Sequence, residues 1–167
     1  NGDNLYSVTI KVTDNNGAGQ SDEQVFTIQV TDVNDGGGGN TNPTIANLDA
    51  IRQVTPQGTA VLLDSNIDLV DAELDAANAG SGNYGNARLL VQRDGGASIN
   101  DELGLNLTVL ALLGITQEND GELYYQGNLI ARETSSGVFG ANGALDITFE
   151  SGATSAQADA IARATTI

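Results

Sequence analysis

Residues 5–13, LYSVTIKVT, alternate with period two. Leu5, Ser7, Thr9, Lys11 and Thr13 fall on one side; Tyr6, Val8, Ile10 and Val12 form a wholly apolar opposite side. That spacing predicts a half-buried strand, because side chains alternate across a pleated backbone. Asp14-Asn15-Asn16-Gly17 carries turn chemistry. Residues 23–33 alternate again, with Phe26, Ile28 and Val30 opposite Val25, Thr27, Gln29 and Thr31. Two such runs around a Gly/Asn/Asp loop predict a hairpin or a neighbouring strand pair.

The spacer DGGGGNTN over 35–42 marks the clearest boundary. Beyond Pro43, short strands are expected at 44–48, around Val54 and at 61–63. Residues 64–87, rich in Asp, Asn, Gly and Ala, read as loop. Strands follow at 88–92, at 105–112 on the alternation of Leu105, Leu107, Val109 and Ala111, and at 144–149. Runs 122–126 and 128–132 flank Gly127 as a tight hairpin. Residues 154–164 break the period. Thr154 or Ser155 can cap a helix that places Ala156, Ala160, Ile161 and Ala164 on one face. Thr165-Thr166-Ile167 reads as the start of a strand.

Composition sharpens this. Apolar residues make up 40% but aromatics only 4%, so the core must be built from Val, Ile, Leu and Ala. With 21 Gly, many beside Asn and Asp, the chain has turns enough for a β-sandwich. There is no His, Cys, Met or Trp, which excludes a Ser-His-Asp triad, a thiol nucleophile and an ordinary zinc site. The formal net charge of −16 repels nucleic acid and anionic lipid. It either keeps a surface protein soluble or is balanced by bound cations. No stretch approaches the roughly 20 apolar residues of a membrane-spanning helix, so no membrane insertion is expected. Export would rely on targeting information outside these residues.

Two stretches carry a resemblance. Tyr6 to Asp14, a Gly-bearing loop, Val25 to Val30 and then Asp32-Val33-Asn34-Asp35 resemble the last two strands and closing linker of a cadherin-type repeat, with Gly36 where that family usually has Asn. Pro43-Thr44-Ile45-x-Asn47-Leu48-Asp49, Val70-Asp71-x-Glu73, Gly140 to Phe149 and Ala153-Thr154 with the helix resemble cadherin-like tandem repeats of giant bacterial surface adhesins. The resemblance implies an all-β, cadherin-like or immunoglobulin-like β-sandwich with one short helix near the C-terminus. It divides the chain into terminal strands of one repeat (1–35), a Gly/Asn linker (36–42) and a second repeat (43–167) lacking its last strands. Two orders of parts stay open: one repeat cut out of phase, whose residues 1–35 complete the domain begun at Pro43, or two truncated domains. The uncovered apolar face of 5–33 leads to the expectation that these residues pack on a different sandwich from 43–167 of their own chain, completing a preceding copy.

The same resemblance implies calcium (Ca2+) at the junction. Calcium takes about 6–8 oxygen ligands from carboxylates, amides and carbonyls. Asp32, Asn34 and Asp35 supply three side chains within four residues, and Asp32 and Asn34 point the same way in an extended segment. Partners are expected from Asp71, Glu73 and Asp75, at i, i+2 and i+4 in the acidic loop, with Asp68 and Asn78 nearby. A solvated acidic loop without metal is the alternative. No feature selects a glycosidase carboxylate pair among 22 acids. Asn106-Leu107-Thr108 matches a glycosylation acceptor inside an expected strand, and residues 80–87 lack the Lys of a phosphate loop.

The expected function is a secreted, cell-surface structural or adhesive module with calcium-stiffened linkers, and not an enzyme. Its partners would be neighbouring repeats and a cell-surface or matrix target. The alternative is a subunit of a homopolymeric extracellular filament or surface layer, in which identical copies join head to tail by strand addition. An accessory module of a secreted enzyme ranks last.

Overall fold

A computed structural model describes residues 5–13, 21–31, 41–48, 51–54, 58–134 and 136–167, with residues 12, 13, 21, 22 and 51–54 described by backbone alone. In chain order the elements are β1 (Leu5–Thr13), β2 (Ser21–Thr31), β3 (Thr44–Ala46), β4 (Ile51–Val54), β5 (Asp68–Val70), α1 (Ala72–Gly80), β6 (Arg88–Arg93), β7 (Gly104–Leu105), α2 (Leu107–Leu112), β8 (Ile115–Asn119), β9 (Glu122–Tyr125), β10 (Asn128–Glu133), β11 (Ala144–Phe149), α3 (Ser155–Arg163) and β12 (Thr165–Thr166). A short 3-10 turn spans Ala141–Gly143.

The fold is mostly β. Eight strands form one sheet in the order β4-β1-β2-β6-β11-β10-β9-β8. Its pairings are antiparallel except that β4 joins β1 in parallel. The alternation read in the sequence sets which face is buried. Val8, Ile10, Phe26, Ile28, Val30, Leu89, Val91, Leu145, Ile147 and Phe149 are all buried, while Ser7, Glu23 and Thr31 on the other face are exposed. The small sheets β3–β5 and β7–β12, the helices and the segment before β5 add Leu63, Ile67, Leu69, Leu74, Leu110, Ala158 and Ile161 to the same apolar cluster. Residues 61–63 run beside 165–167, with Val61 and Ile167 exchanging backbone bonds of 2.8 and 3.0 Å. The β9–β10 hairpin turns at Gln126 and Gly127, whose φ values of 52° and 77° favour glycine at the second position. Among the described residues no helix is long and apolar enough to cross a membrane.

Three expectations are corrected. First, residues 5–33 do not pack on another sandwich. β2 pairs with β6 from Phe26↔Arg93 to Thr31↔Arg88, and β1 pairs with β4, so the strands on either side of the spacer share one sheet. The physical reason is the edge of β6. Leu89 and Val91 continue the apolar face of β2, and pairing satisfies backbone groups that would otherwise face solvent. Second, 105–112 is not a strand. Asn106 caps α2, its side chain accepting the Val109 amide at 3.1 Å, and the run becomes a short helix with only Leu110 buried. Third, 64–87 is not all loop. It holds β5 and α1, so the helix near the C-terminus is one of three α-helices among the described residues. That third helix falls where expected, with Thr154 capping α3 in a reciprocal box with Gln157, but its buried face differs: Ala156 is exposed, and Ala158 and Ala162 are buried with Ala160 and Ile161.

Candidate metal centre

Of the expected calcium ligands, Asp32, Asn34 and Asp35 lie outside the described residues. Asp68, Asp71, Glu73 and Asp75 lie at the corner where β5 runs into α1 and meets α3.

Each carboxylate at this corner has a hydrogen-bonding task. Asp71 is buried at the start of α1, and its Oδ1 accepts the amides of Glu73 (3.1 Å) and Leu74 (2.9 Å). This is an N-cap: the side chain takes up amide protons that a helix start leaves without partners. Asp75 lies one turn on. Its Oδ2 accepts the Asp71 amide at 3.1 Å, and its Oδ1 accepts the Ser155 hydroxyl at 2.6 Å. The Tyr84 hydroxyl lies 3.0 Å from that same Oδ1 and 3.0 Å from the Leu69 carbonyl, so its single proton serves one acceptor at a time. Tyr84 is fully buried, its ring edge-on to Phe149. Burial first, then the Asp75 charge, pushes its phenol well above the ordinary range.

The β5 side of the corner belongs to α3. Asp159 Oδ1 accepts the Leu69 amide at 2.8 Å. Arg163, four residues later on the same helix, donates through Nε to the Ile67 carbonyl at 2.7 Å and pairs with Asp68. Asp68 Oδ2 also accepts the Asn47 amide group at 2.6 Å. Burial raises the Asp159 carboxyl above its usual range, against the Leu69 amide and the Arg163 charge, which lower it. Glu73 faces the other way. Thr41 donates its hydroxyl to Glu73 Oε2 at 2.6 Å, and that bond holds the carboxyl below its usual range.

The i, i+2, i+4 set is therefore divided. A helix turns about 200° over two residues, so Glu73 leaves the side shared by Asp71 and Asp75. The spacing would converge in an extended loop; an N-capped helix disperses it. Among the described residues no group of three or more His, Cys, Asp and Glu side chains is arranged to hold a metal ion. What the corner can do chemically is bind protein to protein: it fixes the start of α1, ties α1 to α3 through Asp75 and Ser155, and ties α3 to β5 through Asp159 and Arg163.

Sequence reasoning missed Tyr84, Ser155, Asp159, Arg163 and Asn47 as members of this network. One signal was present: Asp159 and Arg163 are four apart in the expected helix, a spacing that puts acid and base on one face. Asp71 before Ala-Glu-Leu also carries the cap residue type of a helix start. Tyr84 gave no signal, because its burial depends on Phe149 and α1, both set by the tertiary fold.

No protein-family model, no curated protein and no solved structure matches this chain.

Proposed function

We propose that this chain is an extracellular structural and adhesive module of the cadherin-like repeat kind, acting as a scaffold rather than a catalyst, with calcium held by the segment that follows β2. One observation carries the reading. β2 ends at Thr31, so Asp32-Val33-Asn34-Asp35 leaves directly from a strand in the middle of the large sheet. A ligand-bearing segment there would be anchored by a rigid element, which is what a stiffened junction between modules requires. The net charge of −16 supports a cation partner, since self-repulsion in a compact acidic domain falls when a divalent ion binds. Asp32, Asn34 and Asp35 are the proposed protein ligands, with Glu73 the corner carboxylate proposed to help complete the shell: both Asp68 oxygens are taken by Arg163 and Asn47, and Asp71 and Asp75 already serve α1. On this reading the module stands at the cell surface and its neighbours are further repeats.

Calcium that binds only the folded chain stabilises it, by about 2.7 kcal/mol at a free concentration of ~100 times Kd. Thermal scans with calcium and with a chelator are expected to separate. Identical curves would refute the calcium reading. Asp32→Ala with Asp35→Ala should abolish most calcium heat in titration calorimetry while leaving the fold intact; undiminished binding would move the site to other acids.

A further inference from the structure

The large sheet ends at β8, and among the described residues no strand pairs with its outer edge. The unpaired amides and carbonyls along Ile115–Asn119 are a template for a further strand. The two sides of this edge differ in kind. On the core side, α2 runs into β8 through Leu113 and Gly114, anchored by the buried Leu110. Leu107, Leu112 and Leu113 are left 42%, 82% and 54% exposed, three of the seven large apolar side chains exposed among the described residues. On the other side, Thr116 and Tyr124 are partners across β8 and β9. Glu122 stands opposite Arg132 in register, but Arg132 binds Glu150 instead. Asn119 and Tyr124 both donate to Glu122 Oε2, each at 2.8 Å, and Oε1 receives no bond among the described residues. Glu118, at the bulge in the β8–β9 register, is exposed, as is Asp120 beyond it. The Glu122 bond and, more weakly, the Glu118 charge raise the Tyr124 phenol above its usual range.

A bulge and a carboxylate on an edge strand guard it against indiscriminate pairing. Here the guard has a sign: it repels another acidic strand and admits a cationic one. The described part of a second copy does not supply that cation. Lys11, Arg88, Arg93, Arg132 and Arg163 are each paired with a carboxylate of their own chain. We propose that the β8 edge is a docking site for an extended, basic segment of another protein, added to the sheet beside β8. Main-chain bonds then supply affinity and alternate side chains supply specificity. Side chains of the added strand point to opposite faces in turn. Those on one face meet Glu118 and the open Oε1 of Glu122, a place for Lys or Arg. Those on the other meet Leu112 and Leu113, a place for Val, Ile or Leu. The occupant is therefore a strand in which basic and apolar residues alternate. The inference stands apart from the calcium reading, since neither the edge nor its two faces require a metal.

The probe is a fluorescent peptide of about six residues, the length of an ordinary strand, alternating Lys and Val. It is titrated with the full-length chain in the presence of a chelator. Binding should protect and shift the backbone amides of residues 115–119 in NMR spectra. The same peptide with every backbone amide N-methylated keeps its charge but cannot donate, and should bind at least about tenfold more weakly. A Glu-Val peptide should not bind. Glu118→Gln with Glu122→Gln should weaken the Lys-Val peptide about two- to tenfold, and Leu112→Ser with Leu113→Ser about tenfold. These four side chains are at least partly exposed, so both double variants keep the fold. Glu73→Gln, which removes one carboxylate of the β5–α1–α3 corner, should leave the affinity unchanged. Equal binding of the N-methylated peptide, or shifts spread over acids remote from β8, would reveal adsorption to a negative surface and overturn the proposal. So would no binding of the Lys-Val peptide, or unchanged affinity in either double variant. Protection of the same amides in the concentrated chain without peptide would assign the edge to a second copy and overturn it equally.

Discussion

The large sheet and the β5–α1–α3 corner are held together by different means. In the sheet, apolar side chains alternate with polar ones, and the buried row runs from Val8 and Ile10 through Phe26, Ile28, Leu89 and Val91 to Leu145 and Ile147. Its ion pairs stand apart from that row: on the opposite face Arg88 grips Asp146 through two bonds of 2.5 and 2.6 Å, and Arg93 reaches Asp101 in the loop after β6. At the corner the apolar contribution is thinner, chiefly Leu69, Leu74 and Tyr84, and carboxylates do the joining. Asp71 starts a helix, Asp75 links it to α3, and Asp159 and Asp68 link α3 to β5. In a chain with 22 acids and few aromatics, an acidic cluster has first to be read as a set of hydrogen-bond acceptors. Only the oxygens left over can be assigned to a ligand.

The contrast predicts unequal costs. Phe26→Ala in the sheet removes a large, fully packed side chain and leaves a cavity, costing about 3–5 kcal/mol. It also removes the ring under Arg93. Asp75→Ala at the corner removes the acceptor for the Asp71 amide and the Ser155 hydroxyl and one of two acceptors for Tyr84, costing about 1–3 kcal/mol. Urea unfolding of both variants measures the difference. A corner variant as damaging as the sheet variant would mean that the carboxylate network holds the fold as firmly as the apolar row does. A further distinction sharpens the test. Asp75→Asn retains an acceptor oxygen and should recover part of the loss, whereas no polar replacement should rescue Phe26.

These two regions were unequally legible in the sequence. Period-two alternation identified β1 to the residue and β2 within two residues, because a half-buried strand writes its two faces directly into the chain, and short runs between turn signals located β6, β9, β10 and β11. Thr154 and the alanine spacing identified α3. The partners of those strands were not legible: β2 meets β6 more than fifty residues later, across α1, and nothing local encodes that pairing. Residues 105–112 misled because a run with Leu, Val and Ala at nearly every position fits both periods, and the Asn106 cap decides for helix. The corner misled for a related reason. Whether acids at i, i+2 and i+4 converge depends on the backbone they occupy, and a three-residue strand followed by a single regular helical turn is too short to declare itself. The Asp32, Asn34 and Asp35 set lies outside the described residues.

The smallest expected effect is also the most diagnostic of the corner, because it concerns charge alone. Burial raises the Asp159 carboxyl above its ordinary value of 3.8, partly offset by the Leu69 amide and Arg163, and reinforced by the charges of Asp68 and Asp75. Between 3.8 and that raised value the native state keeps a proton that the unfolded chain has released. Stability therefore falls as pH rises through this window, and below it both states are protonated and the contribution is fully present. Asp159→Asn keeps an oxygen to accept the Leu69 amide but cannot ionise. The stability of the unmodified chain minus that of Asp159→Asn should decline as pH rises upward from 3.8 and then level off. Glu73 provides the opposite sign at the same corner. Thr41 favours its charged form, so the contribution is present above the unfolded value and is lost as pH falls through the lowered one. The unmodified chain minus Glu73→Gln should accordingly rise with pH. Urea titrations of the three proteins across the acid range decide the matter. Parallel, flat differences would show that the acids at this corner are solvated alike, and that the division between inward acceptor and outward carboxylate has no energetic content.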